Sequence, residues 1–103
     1  MNLVFKALSD PTRRRVLELL RDGPRSAGAL SEEFQVSKPT MSAHFAVLRE
    51  AGLIASHKEG KNVVYELEMS VLESALLSFA RNFGWKLGRE PKARSKLSEA
   101  PSK

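Results

Sequence analysis

Residues 37–52, SKPTMSAHFAVLREAG, read as one helix with a defined start and stop. Ser37 suits the N-cap, because its hydroxyl accepts a bond from an early, otherwise orphan backbone N–H. Pro39 falls in the first turn, where a missing N–H costs little. Gly52 follows the last helical residues and suits a left-handed cap. Met41, Phe45 and Leu48 recur at i, i+4 and i+7, so one stripe faces a core. The opposite face opens with Lys38, Thr40, Ser42, Ala43 and His44, side chains that are short, polar or cationic. They can approach a surface closely and hydrogen-bond to it. Alone, such a face is equally an ordinary solvated helix surface; the flanking segments decide between the two.

Upstream, Ser26 is placed to cap a short helix in which Ala27, Leu30 and Phe34 face inward at i, i+3 and i+7. Gln35 and Val36 then make a tight turn into Ser37, with Val36 expected to plug the gap between the two helices. A short helix, a brief turn and a longer capped helix form a helix-turn-helix pattern. Downstream of Gly52 the period changes. Residues 53–58 and 62–68 read as two strands, with Val63, Tyr65 and Leu67 alternating against Val64, Glu66 and Glu68. Glu59-Gly60-Lys61 supplies the glycine that a tight hairpin needs. Lys58 and Lys61 stand near its tip. A basic hairpin alone means little, but directly after a helix-turn-helix it reads as a wing.

Further out, residues 2–8 form a short helix too apolar for a free terminus (Leu3, Val4, Phe5, Leu8), so it must dock on something. Asp10-Pro11-Thr12 caps and opens a second helix, with Val16, Leu17 and Leu20 as its inner stripe, Leu19 widening it and Gly23-Pro24 ending it. Arg13, Arg14 and Arg15 in its first turn oppose the helix dipole at small cost. They fit surface arginines, Arg13 packed by its stem, or phosphate contacts, or an ion pair at a subunit boundary. Ser70 is expected to cap a final helix running to about Phe83. Its stripe of Leu72, Leu76, Phe79 and Phe83, broadened by Val71, Ala75 and Ala80, exceeds what a small terminal helix needs. With the apolar first helix it predicts a homodimer interface of Leu3, Val4, Phe5, Leu8, Leu72, Leu76, Phe79 and Phe83, with Trp85 over its end, the alternative being that both helices simply close the monomer core.

The chain of 103 residues carries a net charge of +5 and no cysteine. Residues 86–103 hold six Lys/Arg against two acids, whereas residues 1–85 hold 11 against 10. The predicted folded domain, residues 1–85, is therefore nearly neutral, and any electrostatic footprint comes from placement. Residues 86–103 read as a basic, disordered tail, either inert or an arm touching DNA phosphates. Without cysteine there is no disulfide, thiolate metal site or cysteine nucleophile. The histidines, His44 and His57, do not converge with other N or S ligands, so no metal site and no cofactor are expected. Neither histidine has an evident nucleophile or orienting partner, and no phosphate-binding glycine loop occurs, so an enzyme is not expected. No stretch approaches the roughly 20 apolar residues that span a bilayer, and no leader is recognisable, so a cytoplasmic protein without membrane insertion is expected.

Four segments in this order carry a family resemblance: LSDPTRRRVLELL, the short helix ending in Phe34, SKPTMSAHFAVLREAGLI and the hairpin HKEGKNVVYEL. Over about residues 2–84 the chain resembles the ArsR/SmtB family of bacterial winged-helix repressors, and within it the cysteine-free, SdpR-like autorepressors. The resemblance implies a mainly α fold with a small β-hairpin, a winged helix-turn-helix in the order α1-α2-α3-α4-β-β-α5, dimeric through its first and last helices. It implies that the fourth helix, residues 37–51, enters the major groove. Ser37, Lys38, Pro39, Thr40, Ser42, Ala43 and His44 then face DNA, and the wing, residues 53–68, contributes Lys58, Lys61 and Asn62. Ala43 stands where many members carry a polar or basic reader, so its methyl would meet a thymine methyl instead. His57 stands where the wing often carries arginine.

The function expected is a sequence-specific repressor, autoregulatory by the resemblance, that binds an inverted-repeat operator as a homodimer. Its inducer, small molecule or protein, is not written in these residues. The competing reading is a winged-helix protein-interaction module without DNA readout. The near-neutral body favours that module. Lys38, Thr40 and Ser42 gathered on one face oppose it, because specific protein interfaces favour aromatic anchors.

Overall fold

The computed structural model describes residues 2–84. Helices α1 (Leu3–Leu8), α2 (Pro11–Leu20), α3 (Ala27–Ser31), α4 (Lys38–Glu50) and α5 (Met69–Asn82) are joined by three short strands, one between α2 and α3 and two between α4 and α5. These are β1 (Arg25–Ser26), β2 (Ile54–Glu59) and β3 (Asn62–Leu67). They form one antiparallel sheet in the order β1-β3-β2. The chain divides into two units within α5, after Leu72. Trp85 and the tail 86–103 lie outside the described residues.

In the first unit, α1 packs on α2 and α4, and α2 packs on α4 and β3. The core is the expected stripe of α2 (Val16, Leu17, Leu20, with Leu19) against that of α4 (Met41, Phe45, Leu48), closed by Leu30, Leu53, Ile54 and Val64. Phe45 meets Tyr65 with ring centroids 4.7 Å apart and tilted by 33°, a favourable aromatic geometry. This pair fastens α4 to the centre of the sheet.

Helix starts follow the sequence closely. Asn2, Asp10, Ser26 and Ser37 each accept from a first-turn backbone N–H. The end of α4 is a Schellman cap: Gly52 sits at φ +78°, its N–H meets the Arg49 carbonyl, and the Leu53 N–H meets the Leu48 carbonyl. That cap turns the chain directly into β2. The hairpin loop is Gly60-Lys61, flanked by the Glu59–Asn62 pair, with Gly60 at φ +63°. A two-residue loop of the hairpin type needs such a positive φ.

Five readings are corrected. α3 ends at Ser31, and Glu33 and Phe34 continue as i→i+3 turns, so Phe34 is half-buried from a turn and not from a helix. Val36 does not plug the turn, because it is 41% exposed. α5 begins at Met69, so Ser70 lies inside the helix and does not cap it. The strict alternation of β3 fails, since Val64 and Tyr65 are both buried. Both α2 and α3 pack against β3, and Phe45 of α4 lies against Tyr65; the sequence reading also missed β1. It pairs Arg25 with Tyr65 and Ser26 with Val64, making β3 the central strand. The strands also sit slightly differently: β2 starts at Ile54 and ends at Glu59, and β3 stops at Leu67.

In α5, Leu76, Leu77, Phe79 and Phe83 are exposed, Phe83 by 66%. Phe79 and Phe83 stack with centroids 4.9 Å apart. In α1, Leu3 is exposed, Phe5 and Leu8 are half-buried, and Val4 is 6% exposed and committed to the interior. Leu72 is half-buried. Among the described residues no helix is long and apolar enough to cross a membrane.

Candidate nucleic-acid interface

The exposed face of α4 is built from its cap upward. The Ser37 hydroxyl accepts from the Thr40 N–H at 3.3 Å and donates to the Thr40 hydroxyl oxygen at 2.9 Å. Ser37 thus spends its proton within the chain, and the Thr40 O–H stays available as an outward donor. Lys38, Pro39, Thr40, Ser42 and Ala43 are all exposed, as is Ser37. Lys38 and Ser42 line one wall of an open groove of about 560 Å³, with Phe45, Val63 and Tyr65 among its other lining residues. The first turn of α4 also presents the positive end of a helix dipole, with the Thr40 and Met41 N–H groups taken by Ser37 and Pro39 carrying none, so that the Lys38 N–H is the amide left over. Together these supply a cation and hydroxyls at a helix N-terminus to one surface, the chemistry that meets phosphates and base edges.

His44 departs from the rest. It is half-buried, and its Nδ1 lies 3.2 Å from Nη1 of Arg13. The wing residues Lys58, Lys61 and Asn62 are exposed around the hairpin loop. His57 is occupied locally, its Nε2 lying 3.0 Å from Oε2 of Glu59.

Sequence reasoning understated two of the three arginines of α2, Arg13 and Arg14. Arg13 Nε donates to the Ala7 carbonyl at 2.8 Å and Nη2 to the Lys6 carbonyl at 3.1 Å. Arg14 Nη1 donates to the Leu8 carbonyl at 2.7 Å. Cations that oppose the dipole of their own helix therefore stand at the C-terminal end of α1, where a cation is favoured. α1 has six residues, too short to hold itself as a helix. Only Arg15 behaves as ordinary surface, pairing with Glu18 at 3.0 Å in the open. Asp10 completes the cluster. Partial burial pushes its carboxyl up. The backbone N–H groups of Arg13 and Thr12 outweigh this, with help from His44 whenever that ring is protonated and from the charge of Arg13, and hold it below the ordinary 3.8. The available signal was the spacing: a cap at Asp10 places Arg13 one turn in, beside the end of the helix just left.

A helix-turn-helix domain model matches residues 8–57. The chain is 45% identical over 76 residues to the transcriptional repressor SdpR of Bacillus subtilis, covering 74% of this chain and 84% of that one. It is 37% identical over 73 residues to the arsenical resistance operon repressor of Staphylococcus xylosus, covering 71% and 70%. An ArsR-like transcriptional regulator from Rhodococcus superposes with TM-score 0.71 at 30% identity, covering 80% of this chain and 77% of that one. The chain belongs to the ArsR family. Its winged helix-turn-helix is the ArsR-family fold, with β1 as the third strand of the wing sheet. Among the described residues of this ArsR-family chain, no three His, Cys, Asp or Glu side chains are grouped to hold a metal ion.

Proposed function

We propose that the chain is a sequence-specific DNA-binding transcriptional repressor that binds an inverted-repeat operator as a homodimer and regulates its own synthesis. Regulation of transcription, rather than catalysis, follows from its family and from relatives named as repressors. The observation that carries the reading is the face of α4, where Lys38, Thr40, Ser42 and Ala43 stand exposed beside a capped helix N-terminus. In this reading α4 lies in the major groove, Ser37, Lys38 and Pro39 meet the backbone at its start, and Thr40, Ser42, Ala43 and His44 address base edges. Lys58, Lys61 and Asn62 touch flanking DNA from the wing. Exposed Leu3 on α1 and exposed Leu76, Phe79 and Phe83 on α5 support pairing of two copies, since apolar side chains so displayed mark interaction surfaces. A twofold pair would set its α4 helices about 34–36 Å apart, one turn of DNA. The compartment is the cytoplasm.

The test is fluorescence anisotropy of the protein on its own upstream DNA, with random DNA as control and salt varied. Tight binding to the upstream DNA alone, weakening steeply with salt and lost in Lys38→Glu/Thr40→Ala, is expected. Equal weak binding to both DNAs that survives the double substitution would replace this reading with charge attraction by the tail, and would turn attention to protein partners.

A further inference from the structure

The contact between Arg13 and His44 reaches from the second helix to the reading face of α4. We infer that the pair decides what α4 reads: Arg13 fixes the tautomer of His44, and the remaining ring N–H addresses an acceptor edge of guanine. This inference rests on α4 being the helix that meets DNA.

A guanidinium has donors only. At 3.2 Å from Arg13 Nη1, the His44 Nδ1 must therefore accept. A neutral ring that accepts at Nδ1 carries its proton on Nε2. Arg13 cannot swing away freely, because its Nε and Nη2 are held by the Ala7 and Lys6 carbonyls. The Arg13 backbone N–H is in turn held by Asp10 at 3.2 Å. The ring is thus set from one side by a group with three anchors. No protein group among the described residues bonds Nε2, and the ring stays half-exposed. His44 follows Thr40 by four residues, so the two share one face of α4. A half-buried ring offering one directed donor discriminates better than a free side chain, because little rotamer freedom is left to lose on binding. In the major groove guanine presents two adjacent acceptors, N7 and O6, whereas adenine sets a donor beside its N7 and thymine a methyl beside its O4. A lone donor is best served by guanine. Arg13 is a positioning residue here, and His44 the specificity-determining one.

The experiment uses an operator selected from random DNA by the full chain, with each guanine replaced in turn by 7-deazaguanine, which lacks the N7 acceptor. The parent protein is expected to lose roughly five- to tenfold in affinity at one guanine per half-site. His44→Asn keeps an acceptor for Arg13 but has no distal ring N–H, and is expected to show no further loss at that guanine. Nitrogen-15 NMR of labelled histidine in the parent protein is expected to show the Nε2–H tautomer alone for His44, and a mixture in Arg13→Gln. A proton on Nδ1 in the parent overturns the inference without any variant being needed. So does a 7-deazaguanine profile that is unchanged in His44→Asn while Lys38→Glu abolishes operator binding; the reading of α4 then stands and only the guanine contact falls. If Lys38→Glu leaves operator binding intact, α4 is not the reading helix and both fall.

Discussion

Arg13 donates to the carbonyls of Lys6 and Ala7 and to the ring of His44, so one guanidinium ties α1, α2 and α4 together. Charged hydrogen bonds of this kind contribute about 1.5–3 kcal/mol each when their partners are left unsatisfied. Arg13→Ala is therefore expected to lower stability by about 2–3 kcal/mol in urea unfolding, whereas Arg15→Ala, whose pair is exposed, should change it by less than about 0.5 kcal/mol. Asp10→Ala removes the α2 cap and should cost about 1 kcal/mol at neutral pH. The sign of its pH dependence follows from the lowered carboxyl. That contribution is fully present above the ordinary 3.8 and fades as pH falls through the lower, folded value. The gap between parent and Asp10→Ala should thus be wide above the ordinary 3.8 and narrow as pH falls through the lower, folded value. The capping roles of Asp10, Ser26 and Ser37 were legible because a cap is a local bond between near neighbours. The partners of Arg13 were not, because His44 lies 31 residues away and only packing brings it close.

Each helix and turn shows the same division between local and distant causes. The amphipathic stripes of α2 and α4, the Gly52 stop and the Gly60 hairpin are set by neighbours within a few residues, and all four stand where expected. Strand β1 has two residues and hence no period to detect; it exists only because β3 lies alongside. Val64 and Tyr65 are buried on successive positions where α2 and α3 pack against β3 and Phe45 lies against Tyr65, which breaks the alternation that a one-sided hairpin would keep. The exposed face of α4 was legible as a surface, but not the withdrawal of His44 toward Arg13. Gly52→Ala would force a β-carbon into a left-handed conformation at φ +78° and should cost about 1–2 kcal/mol. Phe45→Ala would leave a cavity between α4 and the sheet and should cost about 3–5 kcal/mol. Differential scanning calorimetry of both variants checks the order: the Phe45 loss exceeds the Gly52 loss.

At the level of the assembled protein, two features set behaviour in solution. Residues 1–85 carry almost no net charge, so in the proposed reading DNA affinity comes from where Lys38, Lys58 and Lys61 stand, with the basic residues 86–103 as the competing source. Exposed Leu76 and Phe83 on α5 are costly to leave in water and argue for a second copy. Leu76→Glu/Phe83→Glu is expected to yield monomer by sedimentation, with circular dichroism unchanged and operator affinity lowered at least tenfold through loss of the second half-site. Both readings, the groove-bound helix and the twofold pair, meet in one observable. Hydroxyl-radical footprinting of the protein on its own upstream DNA should protect two segments about 10–10.5 base pairs apart, related by the symmetry of an inverted repeat, and both should vanish with Lys38→Glu. A footprint that is single, uniform along the fragment, or indifferent to Lys38→Glu would contradict a dimeric repressor reading DNA through α4.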